Sequence, residues 1–186
     1  VDLEPGTRRV AGQHVRAEAK ARSWKRFLGG SFKRDYESWA QGAEGEEVVG
    51  RILEGLREQG WCVIHDVSFG RGNIDHIVVG PGGIFTIETK SRGGKVWPDH
   101  LDPTMLGQAY AEKKRLETIT HMEVQALLVF SRAYIVGKGV ARRRGVVVLS
   151  SRSLAWFFSR QPATISRERA EVIHRRLALA VGQAVS

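Results

Sequence analysis

The feature that most constrains this chain is a pair of β-rich runs joined by turn chemistry. Asn73-Ile74-Asp75-His76-Ile77-Val78-Val79-Gly80 and Gly83-Ile84-Phe85-Thr86-Ile87-Glu88-Thr89-Lys90 flank Pro81-Gly82, a dipeptide that favours a tight reversal. A turn symmetric about Pro81-Gly82 pairs residues whose numbers sum to 163, so Gly80 faces Gly83, Ile77 faces Thr86 and Asp75 faces Glu88. Side chains directly opposed across a ladder lie on one face, with Cβ atoms roughly 5 Å apart. Lys90 follows Glu88 by two residues and shares that face, because strand side chains alternate. The pattern therefore gathers two carboxylates and an ammonium on one patch.

Like charges set opposite one another destabilise a sheet unless something compensates. A hard divalent cation does so, and Mg²⁺ commonly takes one or two carboxylates together with water or phosphate. The lysine can then orient or activate a nucleophilic water, or stabilise charge developing at phosphorus. The alternative is a salt-bridge cluster on a solvated sheet face. The D…ExK arrangement resembles the active-site pattern of the restriction-endonuclease-like nucleases.

Charge is distributed in a way that bears on partners. Within a net charge of +9, residues 1–34 carry nine Lys/Arg and three Asp/Glu, residues 35–131 nine and fifteen, and residues 132–186 eleven and two. An acidic centre between basic flanks suits a protein that collects metal in the middle and grips a polyanion at its edges. The single cysteine, Cys62, excludes an internal disulfide framework and a cysteine-based zinc site, and fits a reducing, cytoplasmic setting. No apolar run approaches the length of a membrane span, and no signal-peptide pattern is visible. A chain of 186 residues beginning with valine is compatible with one decorated domain, processed or cut from a longer parent.

Periodicity and punctuation divide the chain. Residues 8–28 read as a basic helix ended by Gly29-Gly30, and residues 43–59 as an amphipathic helix closed by Gly60. Strands are expected near 61–69, 73–80 and 83–90, the first two joined by a tight turn at Gly70-Arg71-Gly72. A loop over 91–103 precedes a helix at 104–121, strands at 125–131 and 146–150, a short helix at 153–159 and a longer one at 166–182 with Ser166 as N-cap. The expected fold class is α/β: a restriction-endonuclease-like core with a central mixed β-sheet flanked by helices. The expected domains are a basic N-terminal helical extension over 1–39 and a nuclease-related domain over 40–186, with its core at about 40–150.

The helix at 43–59 carries the second informative signal. Val49, Ile52, Leu53 and Leu56 define an apolar stripe, and Glu46 lies three residues before Val49 and seven before Leu53, on that stripe. A carboxylate there is costly unless paired or metal-bound, although the positive end of the helix dipole also favours an acid in the first turn.

The chain as a whole resembles the nuclease-related domain, NERD, a branch of the restriction-endonuclease-like PD-(D/E)xK superfamily. The carrying residues are Gly42-Ala43-Glu44-Gly45-Glu46, Leu56 and Gly60, His65-Asp66-Val67, the two hairpin runs with Pro81, Gly94-Lys95-Val96 and Gln108-Ala109-Tyr110, spread over roughly residues 40–150. The resemblance implies a metal-dependent deoxyribonuclease using Mg²⁺ or Mn²⁺ and leaving 5′-phosphate and 3′-hydroxyl ends. It implies Asp75 and Glu88 as the metal-binding pair, helped by Glu46 and the backbone carbonyl of Thr89. Lys90 matches the catalytic lysine, and Gln108 a helical glutamine beside the site. Ile74 stands where many superfamily members have proline.

Other residues read differently. His76 points to the sheet face opposite Asp75 and is expected to pack. His65 and Asp66 lack the spacing of a zinc site, and Glu44 is one helical step off the Glu46 face. Trp24, Trp39 and Trp97 stand near polar sequence, where an aromatic can stack on bases or simply pack. Arg142, Arg143 and Arg144 are expected in a loop, where they would grip phosphates. The implied partner is DNA, with RNA the other polyanion and a homodimer the assembly best suited to cutting both strands. The competing reading is a nucleic-acid-binding or protein-docking module that keeps the fold without turnover.

Overall fold

The computed structural model describes residues 32–68 and 72–181, with side chains from residue 42 onward. The chain divides into the units Val1–Trp39 and Ala40–Ser186, and apart from the start of the first helix the elements that follow belong to the second. Element α1 spans Phe32–Glu54, β1 Cys62–Ser68, β2 Asn73–Gly80, β3 Gly83–Val96 and α2 Pro103–Thr120. They are followed by β4 (Val124–Ile135), β5 (Val140–Arg143), β6 (Val146–Ser150), α3 (Leu154–Ser159) and α4 (Arg167–Ala180). The basic helix expected over 8–28 and the turn residues Gly70 and Arg71 lie outside the described residues.

Six strands form one mixed sheet in the order β1-β2-β3-β4-β6-β5. The hairpin β2–β3 has the expected register, from Gly80↔Gly83 to His76↔Ile87. The strands β3 and β4 are parallel, as are β4 and β6. Parallel neighbours need a crossover, and α2 supplies it between β3 and β4. The strand β5 pairs antiparallel with β6 at the sheet edge, so β6 is inserted between β4 and β5.

Both faces are buried, which is why the central strands read as nearly continuous apolar runs. On one face Val49, Leu53 and Leu56 of α1 join Val78, Phe85, Ile87, Leu127 and Val129, with Leu154 and Phe158 closing the cluster. On the other, Leu106 and Ala109 of α2 meet Ala126, Leu128 and Phe130, while Ala170, Ile173 and Leu177 of α4 cover Ile74, Ile77 and Val79. Burying a side chain of this size stabilises by about 1.5–3 kcal/mol, so each helix is held mainly by its apolar stripe. Among the described residues, no helix is long and apolar enough to cross a membrane.

Four boundaries differ from the sequence-based expectations. The first helix begins at Phe32 and ends at Glu54, and Arg57–Gln59 form a separate 3₁₀ turn stopped by Gly60 at φ 83°. The strand β3 does not stop at Lys90: it passes an irregularity between Lys90 and Gly93 and pairs again up to Val96↔Ile135, so residues 91–96 are not loop. The strand β4 likewise continues to Ile135, and Val140–Arg143 form an unexpected edge strand. Ser166 caps α4 as expected, its hydroxyl accepting from the Arg169 amide.

Candidate active site

The two acids of the hairpin arrive at one place by a route slightly different from a plain ladder. Regular β2–β3 pairing ends at His76↔Ile87, one step before Asp75 and Glu88. On the other side of β2, pairing passes from His65↔His76 to Val67↔Ile74, skipping the position that Asp66 and Asp75 would share. Asp66 has φ 53°, a left-handed conformation that non-glycine residues adopt infrequently. Asp75 thus stands at a local break in the sheet, and its Oδ2 accepts a 2.8 Å hydrogen bond from the Thr89 amide.

Glu88 is only 4% exposed, and its Oε1 accepts a 2.5 Å charge-assisted bond from Lys90 Nζ. The same ammonium donates to Gln108 Oε1 at 3.1 Å. From α2, Gln108 Nε2 donates to Glu112 Oε1 at 3.3 Å, and Glu112, 3% exposed, comes back against Glu88. Lys90, Glu88, Glu112 and Gln108 therefore close a ring between β3 and α2.

The electrostatics record crowding of negative charge. Burial, then Glu88 and Glu46, push the Asp75 carboxyl well above the usual carboxylate range, against the opposing pull of the Thr89 amide and Lys90. Burial, followed by Glu88, pushes Glu112 up to about 9, so this side chain is protonated at neutral pH. Oε2 of Glu88 and Oε2 of Glu112 meet no nitrogen or hydroxyl donor. The interaction between the two carboxyls is reconciled with those orphan oxygens by the proton on Glu112, which is the donor between them.

Glu46 reaches this patch from α1, whose apolar stripe covers the opposite sheet face. The preceding residue explains the approach. A Cβ on Gly45 would stand 2.7 Å from Ser131 Oγ and 2.9 Å from Ser91 Cβ, so only glycine lets α1 pass this close to β3 and β4 at the irregularity that follows Lys90. Glu46 is half-buried there, and its charge raises Asp75.

Glu46, Asp75, Glu88, Lys90 and Gln108 are thus brought together. Glu112 was not anticipated from sequence, yet Leu106, Ala109 and Leu116 are buried with it on one face of α2. The criterion that singles out Glu46, an acid on an apolar stripe, applies equally to Glu112. His76 is 2% exposed and takes the packing role expected of it. Its Nδ1 lies 2.8 Å from His65 Nδ1, and burial, then the His65 charge, lowers it to about 3.

The arginine triplet is not brought to the site, and two of its three members lie in a strand rather than in a loop. Arg142 and Arg143 belong to β5, and Arg144 occupies the turn before β6 with φ 49°. Arg142 donates to Gln125 Oε1 at 2.7 Å, and Arg143 pairs with Asp99. Gln125 is in register with Phe85 whereas Lys90 is in register with Phe130, so Arg142 sits toward the other end of the sheet.

Among the described residues, no three or more His, Cys, Asp or Glu groups form a preassembled metal cage. The donor set nevertheless fits a hard cation that uses one or two carboxylates and fills its remaining positions with water or phosphate. The repulsion raising Asp75 is of the kind a cation relieves.

A six-stranded mixed sheet flanked by helices, with this acid–lysine cluster on its central hairpin, is consistent with a restriction-endonuclease-like core. Residues 41–131 match the family model of the nuclease-related domain, NERD, and this segment of the chain belongs to that family. The match runs from just before Glu46 to just beyond Phe130, the β4 partner of Lys90. No curated protein and no solved structure matches the chain significantly.

Proposed function

We propose that the protein is a metal-dependent nuclease that hydrolyses DNA phosphodiester bonds at the Asp75–Glu88–Lys90 site. The observation that carries this reading is the buried Glu88 held 2.5 Å from Lys90 Nζ while Asp75 is raised by the charges of Glu88 and Glu46. Lys90 pairs with Glu88, yet Asp75 stays raised by the charges of Glu88 and Glu46, which a cluster serving stability alone does not require.

Asp75 and Glu88 would hold Mg²⁺ or Mn²⁺, with Glu46 acting directly or through water and the Thr89 carbonyl as a further oxygen. The cation, when bound, lowers the pKa of a coordinated water and neutralises charge on the phosphate. Lys90 places a positive charge beside Glu88, where it orients the attacking water or stabilises the charge developing at phosphorus. Gln108 fixes the ammonium through its carbonyl oxygen, and Glu112 fixes Gln108. The Thr89 amide holds Asp75 in one orientation.

The test is incubation of supercoiled and linear DNA with the protein in Mg²⁺, in Mn²⁺ and in EDTA. Nicking, linearisation or end resection that requires a divalent cation supports the reading and separates endonuclease from exonuclease action. Intact DNA under every condition contradicts it.

A further inference from the structure

Beyond Lys90, the strands β3 and β4 continue as a two-stranded projection with a chemistry of its own. Gly93 pairs with Arg132 and Lys95 with Tyr134, and paired residues on parallel strands share a face. Trp97 follows Lys95 by two residues in extended conformation, so alternation sets it on that face as well. The burial pattern agrees: Val96, Ala133 and Ile135 are buried, while Lys95, Trp97, Arg132 and Tyr134 are exposed.

Tyr134 is 57% exposed and Trp97 39%, and no side-chain hydrogen bond or ion pair engages Lys95, Arg132 or Tyr134 among the described residues. Gly93 adds no bulk, and a Cβ there would meet nothing within 4 Å. Residues 91–97 and 131–135 contain Arg92, Lys95 and Arg132 and no acid. Asp99, the next acid along the chain, is taken by Arg143. An apolar core requires none of these exposed side chains.

We infer that this projection binds an unpaired DNA strand, with bases stacked on Tyr134 and Trp97 and phosphates held by Lys95 and Arg132. The inference rests on the nuclease reading and names its substrate class: single-stranded DNA or the unpaired part of a partly duplex molecule. Exposed aromatics interleaved with cations are how sequence-tolerant single-strand binding is built. Bases in an intact duplex are already stacked and cannot offer their faces. Tyr134 lies four residues beyond Phe130, the partner of Lys90, roughly 13 Å along the strand, and the strip occupies the face opposite the one that Phe130 shares with Val96, Ala133 and Ile135. Lys95 and Trp97 fall inside the matched segment 41–131, and Arg132 and Tyr134 just beyond it.

The experiment is fluorescence anisotropy of the full chain in EDTA with labelled dT20 and with a labelled duplex of equal length. The wild-type protein is expected to bind dT20 more tightly than duplex. Tyr134→Ala and Trp97→Ala should each weaken dT20 binding by about tenfold with a smaller effect on duplex, and Tyr134→Phe should restore it. Lys95→Ala and Arg132→Ala should each reduce the log-affinity versus log-salt slope for dT20 by about 0.7. Thermal melts of these surface variants report whether the fold is retained. Duplex preference in the wild type, or unchanged dT20 affinity in Tyr134→Ala and Trp97→Ala, overturns the inference. Binding in EDTA is independent of turnover, so loss of the nuclease reading would show separately, as no cation-dependent cleavage of either DNA.

Discussion

Asp75, Glu88 and Lys90 carry distinct roles that single substitutions separate. Asp75→Asn and Glu88→Gln keep side-chain volume while removing a charged oxygen ligand, so each should lower cation-dependent cleavage by at least about a hundredfold with little change in circular dichroism. Lys90→Ala should still bind Mn²⁺ in calorimetry but lose turnover to a comparable degree. Glu112 gives a different readout. Its carboxyl is raised from 4.5 to about 9, so the folded state keeps a proton that the unfolded chain has released. Unfolding then releases that proton, and this group's contribution to stability falls as pH rises through the interval. Melting temperature measured in EDTA should therefore drop between about pH 5 and pH 9, and Glu112→Gln should flatten that drop. A variant with the slope of the wild type would mean that Glu112 is not the protonated member of the pair.

At the scale of elements, the approach of α1 to the sheet decides whether Glu46 reaches Asp75. Gly45→Ala gains about 1 kcal/mol of helix propensity but introduces a Cβ 2.7 Å from Ser131 Oγ and 2.9 Å from Ser91 Cβ, and overpacking costs about 1–3 kcal/mol. The second effect is the larger, so the variant should melt a few degrees lower and lose part of its Mn²⁺ affinity; a higher melting temperature would show that α1 has room. The hairpin register was legible in the sequence because Pro81-Gly82 and two alternating runs leave only one symmetric pairing. Glu46 was legible by the same reasoning about faces. The continuation of β3 was not, because Ser91-Arg92-Gly93-Gly94 is loop-like composition that only pairing with β4 makes a strand. The edge strand β5 was hidden for a related reason: Val140-Ala141-Arg142-Arg143 has little β signal, and β6 supplies its partner. The break at Asp66 and Asp75 depends on neighbours on both sides of β2, which no local pattern encodes.

For the molecule as a whole, the folded state concentrates acids that the unfolded chain keeps apart, so a cation should bind the folded form selectively. At a hundredfold excess over Kd, linkage adds about 2.7 kcal/mol, which for a chain of this size corresponds to roughly 5–10 °C in melting temperature. Mn²⁺ should produce that rise in the wild type and not in a variant altered at Glu46, Asp75 and Glu88 together. The central claim is that these acids hold the cation for phosphodiester cleavage. Its most direct test is conversion of supercoiled DNA in Mn²⁺ by the wild type beside folded Glu88→Gln. Nicked or linear product is expected from the wild type, background conversion from Glu88→Gln, and none from either in EDTA. Equal conversion by the two proteins, or intact DNA with the wild type, would contradict it.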